Sequence, residues 1–343
     1  MKETLVLSKT KMILMGFACA LTSCAPLIAQ NVPASNTPVV AAPVPQPSAR
    51  EEAHPFPPAN PKNFTAPTPS VDEVNSFLKA LWGYDTNRIW EVAAILKTPA
   101  PGVAKVVVLI GDKRAPGKAQ PLIFFTTPDG KHAIADNVMD FGAKPFAEAR
   151  KTLQDRANGP AKGAKSNDLL IVEFADLQCD RCKDAEDKVD SLTQDFPQAR
   201  IVFEDVPQTD HPYSQQAALD GYCVRQTKGD DAFFSYVQAV YAKQAGLTAQ
   251  SADATLNAAL TAAGADPAKI TACAATPEAA AAIEANKKLA EDVGVGQTPL
   301  LAVNGHLLAI SAIPYESLKQ MVAYQARQDG IAVHLQPTLS DLK

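Results

Sequence analysis

The chain carries no excess of positive charge: 32 Lys and Arg stand against 37 Asp and Glu, for a formal net charge of -5. Without a basic footprint, nucleic acid is excluded as a main partner. Cysteine is also scarce, with 6 in 343 residues. That is too few for a disulfide-dense scaffold and enough for redox chemistry. No apolar run is long enough for a transmembrane helix, the run Met12 to Ala20 being the candidate and too short. The 5 histidines are scattered, at His54, His132, His211, His306 and His334, and there is only one C-x-x-C, so a four-ligand zinc site has no evident donor set. What remains is ordinary globular material, 46% hydrophobic and 20% charged. At roughly 150 residues per domain, the length suits about two domains.

Lys2, Lys9 and Lys11 precede the apolar run, and small residues follow it, the layout of a secretory signal over residues 1–29. Two processing sites compete. Leu21-Thr22-Ser23-Cys24 resembles a bacterial lipoprotein box, and Leu27-Ile28-Ala29 before Gln30 resembles an ordinary signal-peptidase site. Either route takes the mature chain out of the cytoplasm, where disulfides persist. Residues 30–69 form a Pro/Ala-rich linker; 11 prolines fall between Asn31 and Ser70, a composition that cannot bury a core. With Cys24 lipidated, this tether holds the folded part off a membrane; otherwise it is a disordered leader.

Helical spacing of Val71, Val74, Phe77, Leu78 and Leu81 after Ser70, then β-rich runs over Ile89 to Leu96, Val103 to Ile110, Leu122 to Thr126 and His132 to Ile134, predict a small α+β domain over 70–144. Pro145 opens a connecting helix, and 145–165 reads as helix plus linker. From 166 to 335 the order is strand (Leu169 to Ala175), helix (Cys182, Ala185, Val189, Leu192, Phe196), strand (Ile201 to Phe203), a helical insert over 213–293, the hairpin Leu300 to Ala309 around Asn304-Gly305, and a last helix from Pro314 to Tyr324. This is an α/β chain whose element order is that of a thioredoxin-like fold interrupted by helices.

Cys179-Asp180-Arg181-Cys182 falls between a buried strand and an amphipathic helix. At a helix N-terminus the free N–H groups and the positive end of the dipole stabilise a thiolate, so Cys179 is the reactive sulfur. Cys182, one turn on and on the buried side, is placed to resolve a mixed disulfide. The competing readings are a metal site and a purely structural bridge. Arg181 favours the Cys179 thiolate and Asp180 opposes it, so a pKa below that of a free thiol but short of the lowest extreme is expected.

Glu173-Phe174-Ala175-Asp176-Leu177-Gln178-Cys179-Asp180-Arg181-Cys182 resembles the active-site segment of the DsbA-like thioredoxin-fold disulfide oxidoreductases, and Gly294-Val295 to Thr298-Pro299-Leu300 resembles their cis-proline segment. The likeness spans about residues 166–330. It implies a cis Pro299 beside the sulfurs, with Thr298 presenting its backbone to substrate, and Glu173 as a proton relay; the alternative for Glu173 is escape to solvent. The chain departs from the family in carrying Asp180-Arg181 between the cysteines and Gln297 before Thr-Pro.

Lys97 to Gly102, the strand from Val103, Pro128-Asp129-Gly130-Lys131-His132 and Asp140 resemble the N-terminal dimerisation domain of the DsbC and DsbG disulfide isomerases, which implies a homodimer; a spacer domain without a partner is the alternative. Cys223 and Cys273 are expected to bridge, closing about fifty residues, rather than to remain two buried thiols. The resulting expectation is an extracytoplasmic thiol–disulfide oxidoreductase with Cys179, Cys182, Pro299, Thr298 and Glu173 as site residues. It would need no cofactor, act on exported proteins with thiols or disulfides, and exchange electrons with a redox partner protein, membrane-bound or not. A dimeric isomerase or reductase and a tethered, non-enzymatic binding module are the competing functions.

Overall fold

The structure, a computed structural model, describes residues 56–333. The expected signal segment, Cys24, most of the linker and the last residues of the domain expected to reach 335 lie outside the described residues.

The first module begins with helix α1 (Val71–Trp82), which starts where it does because Ser70 and Glu73 form a capping box: the Ser70 N–H donates to Glu73 Oε2 at 2.7 Å and the Glu73 N–H to Ser70 Oγ at 3.2 Å. Its buried face, Val74, Phe77 and Leu78, packs on Val92, Ile95, Val106, Val108 and Phe124 of an antiparallel sheet. The strands β1 (Arg88–Lys97), β2 (Ala104–Asp112), β3 (Gln120–Thr126), β4 (His132–Ile134) and β5 (Val138–Asp140) lie side by side in chain order. Strand β5 was not foreseen; its three residues form a strand by pairing antiparallel with β4.

Helix α2 (Ala147–Arg156) leads into the second sheet and buries Leu153 among Leu170, Val172 and Phe174. Ala161–Gly163, expected to be linker, is a strand, β6, because its backbone pairs antiparallel with Arg200 to Val202. The remaining elements are β7 (Leu169–Ala175), α3 (Asp180–Asp195), β8 (Ala199–Asp205), the helices α4 (Ser214–Lys228), α5 (Asp230–Ala242), α6 (Ala252–Ala262), α7 (Pro267–Ala274) and α8 (Pro277–Asp292), then β9 (Leu300–Val303), β10 (His306–Leu308) and α9 (Tyr315–Gln328). The sheet runs β10-β9-β7-β8-β6, with β7 parallel to β8 and antiparallel to β9. Every residue of β7 is buried, as a central strand that is apolar on both faces apart from Glu173 requires. The Asn304-Gly305 turn takes φ values of 46° and 92°, the left-handed pair that a two-residue hairpin demands. Asn304 also ties the hairpin to the start of β7, accepting from the Leu170 N–H at 2.8 Å.

This is a thioredoxin-like fold with helices α4 to α8 inserted between β8 and β9. Cys223 and Cys273 form a disulfide across α4 and α7, with Cα atoms 5.9 Å apart. The insert does more than extend the domain. Tyr236, Val237, Val240 and Tyr241 of α5 share one core with Ala175, Leu177, Cys179 and Cys182, so the insert roofs the cysteine pair. Among the described residues no helix is long and apolar enough to cross a membrane.

Candidate active site

Cys179 is the N-cap of α3, with extended backbone (φ -79°, ψ 117°), and its carbonyl accepts the first helical N–H groups, from Cys182 at 3.1 Å and Lys183 at 3.2 Å. The helix starts here because the apolar face Cys182, Ala185, Val189 and Leu192 recurs every three or four residues and must return to the sheet. Both cysteines are free thiols. Cys179 keeps 7% of its surface exposed and Cys182 none, while Asp180 and Arg181 beside them are exposed.

The Thr298–Pro299 peptide bond is cis, as the resemblance implied, and the Thr298 carbonyl lies 3.9 Å from Cys179 Sγ. Pro299 is buried and Thr298 half-buried, with exposed Gly296 and Gln297 before them. A second cis bond, Thr68–Pro69, precedes α1. The structure thus brings Cys179, Cys182, Thr298 and Pro299 together from two segments more than a hundred residues apart.

Electrostatically the two thiols are unlike. Cys179 is lowered to about 6, chiefly by a hydrogen bond from the Cys182 thiol, against burial, with further help from the Cys182 N–H, from Thr298 and from the Arg181 N–H. Cys182 is pushed far up by burial and by its neighbour's sulfur. The expected competition between the Arg181 and Asp180 charges is not what sets the balance: neither side chain makes an ion pair among the described residues, and the hydrogen-bond donors at the helix end do the stabilising.

Glu173, on β7, is 1% exposed, which removes the solvent alternative. Burial first, then the nearby Glu186 carboxylate, raise its proton affinity well above the ordinary carboxyl range, with Lys162 opposing. Its Oε1 has no hydrogen-bond partner among the described residues.

Two residues near the reactive sulfur escaped sequence reasoning. Asp176, fully buried at the end of β7, accepts from the Gln178 N–H at Oδ1 and from the Gln208 N–H at Oδ2, both at 2.7 Å, and its Oδ2 lies 2.9 Å from His211 Nδ1. Burial pulls His211 down, but the hydrogen bond and charge of Asp176, then the charge of Asp210 and last that of Cys179, outweigh it and hold the imidazole above its ordinary value. Asp176 and His211 are 35 residues apart, and only a buried acid just before the C-x-x-C, in need of a partner, could have signalled the pair.

Fold and site together define a thioredoxin-like domain with an acidic sulfur that reaches the surface, a buried second sulfur one turn behind it, and a cis-proline opposite. The family model described as Thioredoxin matches residues 155–323, just under half of the chain. The chain is similar to the catalytic domain of ScsC from Proteus mirabilis (21% identity, TM-score 0.45, covering 53% of this chain and 99% of that one). It is similar also to a periplasmic thioredoxin-like protein from Salmonella enterica serovar Typhimurium (22%, TM-score 0.44, 52% and 97%). A third similar structure is the thiol-disulfide exchange protein alpha-DsbA2 from Wolbachia pipientis (20%, TM-score 0.44, 51% and 94%). Among curated sequences, 58 residues are 40% identical to part of the Na(+)/H(+) antiporter NhaA 3 of Salinispora tropica. The chain spans 9% of the length of that relative.

Proposed function

We propose that the protein is an extracytoplasmic thiol–disulfide oxidoreductase that forms or exchanges disulfides in exported proteins. The observation that carries this reading is Cys179 at the N-cap of α3, its sulfur 3.9 Å from the Thr298 carbonyl across a cis Thr298–Pro299 bond. In oxidation, a substrate thiolate attacks Cys179 Sγ of the Cys179–Cys182 disulfide. The S–S bond breaks, its electron pair passes to Cys182 Sγ, and that sulfur takes up a proton, for which its raised affinity suits it. A second substrate thiolate then attacks the substrate sulfur of the mixed disulfide, and Cys179 leaves as the thiolate that its low pKa favours. The substrate leaves two electrons poorer, and a redox partner protein removes them from the enzyme. Thr298 offers its backbone to the substrate chain, Pro299 keeps that edge beside the sulfurs, and Glu173 supplies the proton.

Export rests on the Lys-flanked apolar run before residue 30. Whether Cys24 carries a lipid is read directly from the mass of the mature N-terminus.

Isomerisation by a dimer is the second reading. It is favoured by Ile123, Phe125 and Val138, apolar side chains of the first module that stay 44%, 37% and 63% exposed. Oxidation of reduced ribonuclease compared with rescue of scrambled ribonuclease separates the two activities. Sedimentation at micromolar concentration tests the dimer. Trapping with Cys182→Ser tests the class as a whole, since a staple without exchange chemistry captures no exported protein on Cys179.

A further inference from the structure

Asp205, the last residue of β8, is buried with neither of its carboxyl oxygens hydrogen-bonded among the described residues. It is 4% exposed. A buried polar group left unpaired calls for an explanation beyond packing. Its neighbour Glu204 is as deep but has a partner, since its Oε1 accepts the Gly159 N–H at 2.9 Å. Every influence on Asp205 opposes ionisation, burial first and then the charges of Asp176 and Glu204. The fold therefore holds an acid for which it supplies no partner.

Asp205 stands in the wall of a cavity of about 330 Å³ between α4 and α8. That volume falls at the small end of ligand pockets, and the lining has their character: Phe203, Tyr222, Phe233 and Ile283 make it aromatic and aliphatic, with few polar groups. Arg225 is the one basic residue in that lining, and it is engaged elsewhere. Its Nε donates to Asp230 Oδ1 at 2.9 Å and its Nη1 to the Asn158 carbonyl at 2.6 Å. The cavity thus has an acid with two open oxygens and no cation of its own to set against it.

We propose that this cavity binds a guanidinium-type cation carried on a small apolar body, with Asp205 as the counter-ion. A planar fork of N–H donors pairs with both carboxylate oxygens at once, which a point-charge ammonium does not. Its flat face suits aromatic walls. The cation pairs with the ionised acid, so its entry expels the Asp205 proton to solvent and binding tightens as pH rises. The other titratable groups around Asp205 are Asp176 at the end of β7, Glu204, Tyr222 and Arg225 on α4, and Tyr236 and Tyr241 on α5. The cysteine pair takes no part in this site, which stands or falls independently of disulfide exchange.

Calorimetric titration of the full-length protein tests it, with benzamidine as probe and benzyl alcohol as the uncharged counterpart. Benzamidine should bind and raise the melting temperature, more tightly at about pH 8 than at about pH 6, and about tenfold or more better than benzyl alcohol. Asp205→Asn keeps the shape of the side chain and should lose about tenfold or more in affinity, together with the pH dependence. Ala282→Trp fills the cavity from α8 and should abolish binding with the acid still in place. N-acetylargininamide separates the sources of the cation: binding like that of benzamidine points to an arginine side chain of a polypeptide, and binding of benzamidine alone to a free small molecule, either result supporting the site. No heat from benzamidine at millimolar concentration, equal binding of benzyl alcohol, or affinity unchanged in both variants overturns the proposal.

Discussion

His211 Nδ1 lies 2.9 Å from Asp176 Oδ2, and through that contact the loop between β8 and α4 is pinned to the segment leading into the reactive cysteine. A second bond from the same loop, Tyr213 N–H to Gln178 Oε1 at 2.7 Å, fixes it further. The dipeptide between the cysteines holds no histidine, and the structure supplies one from elsewhere in the chain.

Because the Cys179 charge helps keep His211 protonated, the imidazolium must by the same coupling help keep Cys179 ionised. His211→Gln should therefore raise the Cys179 pKa above about 6, by up to about one unit. Ultraviolet thiolate absorbance followed against pH measures it directly. An unchanged midpoint would reduce His211 to a brace for the loop.

The Cys223–Cys273 bridge closes a 50-residue separation within the insert. In the chain-entropy model that is worth about 4 kcal/mol. The double variant Cys223→Ser with Cys273→Ser should lose about that much in urea unfolding, and the thiolate titration of Cys179 should be retained. A shifted Cys179 midpoint would mean that the bridge shapes the site as well as the scaffold.

Periodicity and chemistry local to the chain were legible. The run Leu169–Ala175 displayed a central strand, the Cys182–Ala185–Val189–Leu192 spacing displayed α3, and the two cysteines fall at its start as that spacing places them. What stayed hidden depends on contacts distant in sequence. Tyr241 reads as one more residue of an apolar stripe, and only the packing of α5 brings it into one core with the cysteines. Strand β8 was expected to stop at Phe203 because Glu204 and Asp205 follow, yet both are buried and the strand continues through them. Strand β6 is three residues long and exists only through its pairing with β8.

Those two acids make stability depend on pH in an unusual direction. Burial raises Glu204 to about 7, although its Oε1 accepts the Gly159 N–H at 2.9 Å. An unfolded glutamate titrates near about 4.3, so above that pH the folded state binds the proton that the unfolded state has lost. Stability from this group is therefore full below about pH 4.3 and falls as pH rises toward 7, by about 3 kcal/mol. Asp205 and Glu173, also raised by burial, act in the same sense. Glu204→Gln should flatten the curve, gaining on the wild type at about pH 8 relative to about pH 5 in urea unfolding. Parallel wild-type and variant curves would show that Glu204 is ionised in the fold.

Gly159 sits where that acid meets the backbone. A Cβ at this position would lie 1.9 Å from the Phe203 carbonyl oxygen, which belongs to β8 and has no freedom to withdraw. The neighbouring bond from the Phe203 N–H to the Pro160 carbonyl, at 2.9 Å, holds the two segments together at that point. An alanine must therefore push α2's exit away from the sheet, loosening both this bond and the one Gly159 makes to Glu204. Gly159→Ala should cost several kcal/mol, roughly 3 or more. Gly117→Ala is the comparison: φ there is +84°, but nothing lies within 4 Å of the added carbon, so only backbone strain of about 1–2 kcal/mol is expected. Equal losses at the two sites would mean that the approach to Phe203 is relieved by a small shift, and that β6 is held to β8 less firmly than its hydrogen bonds imply.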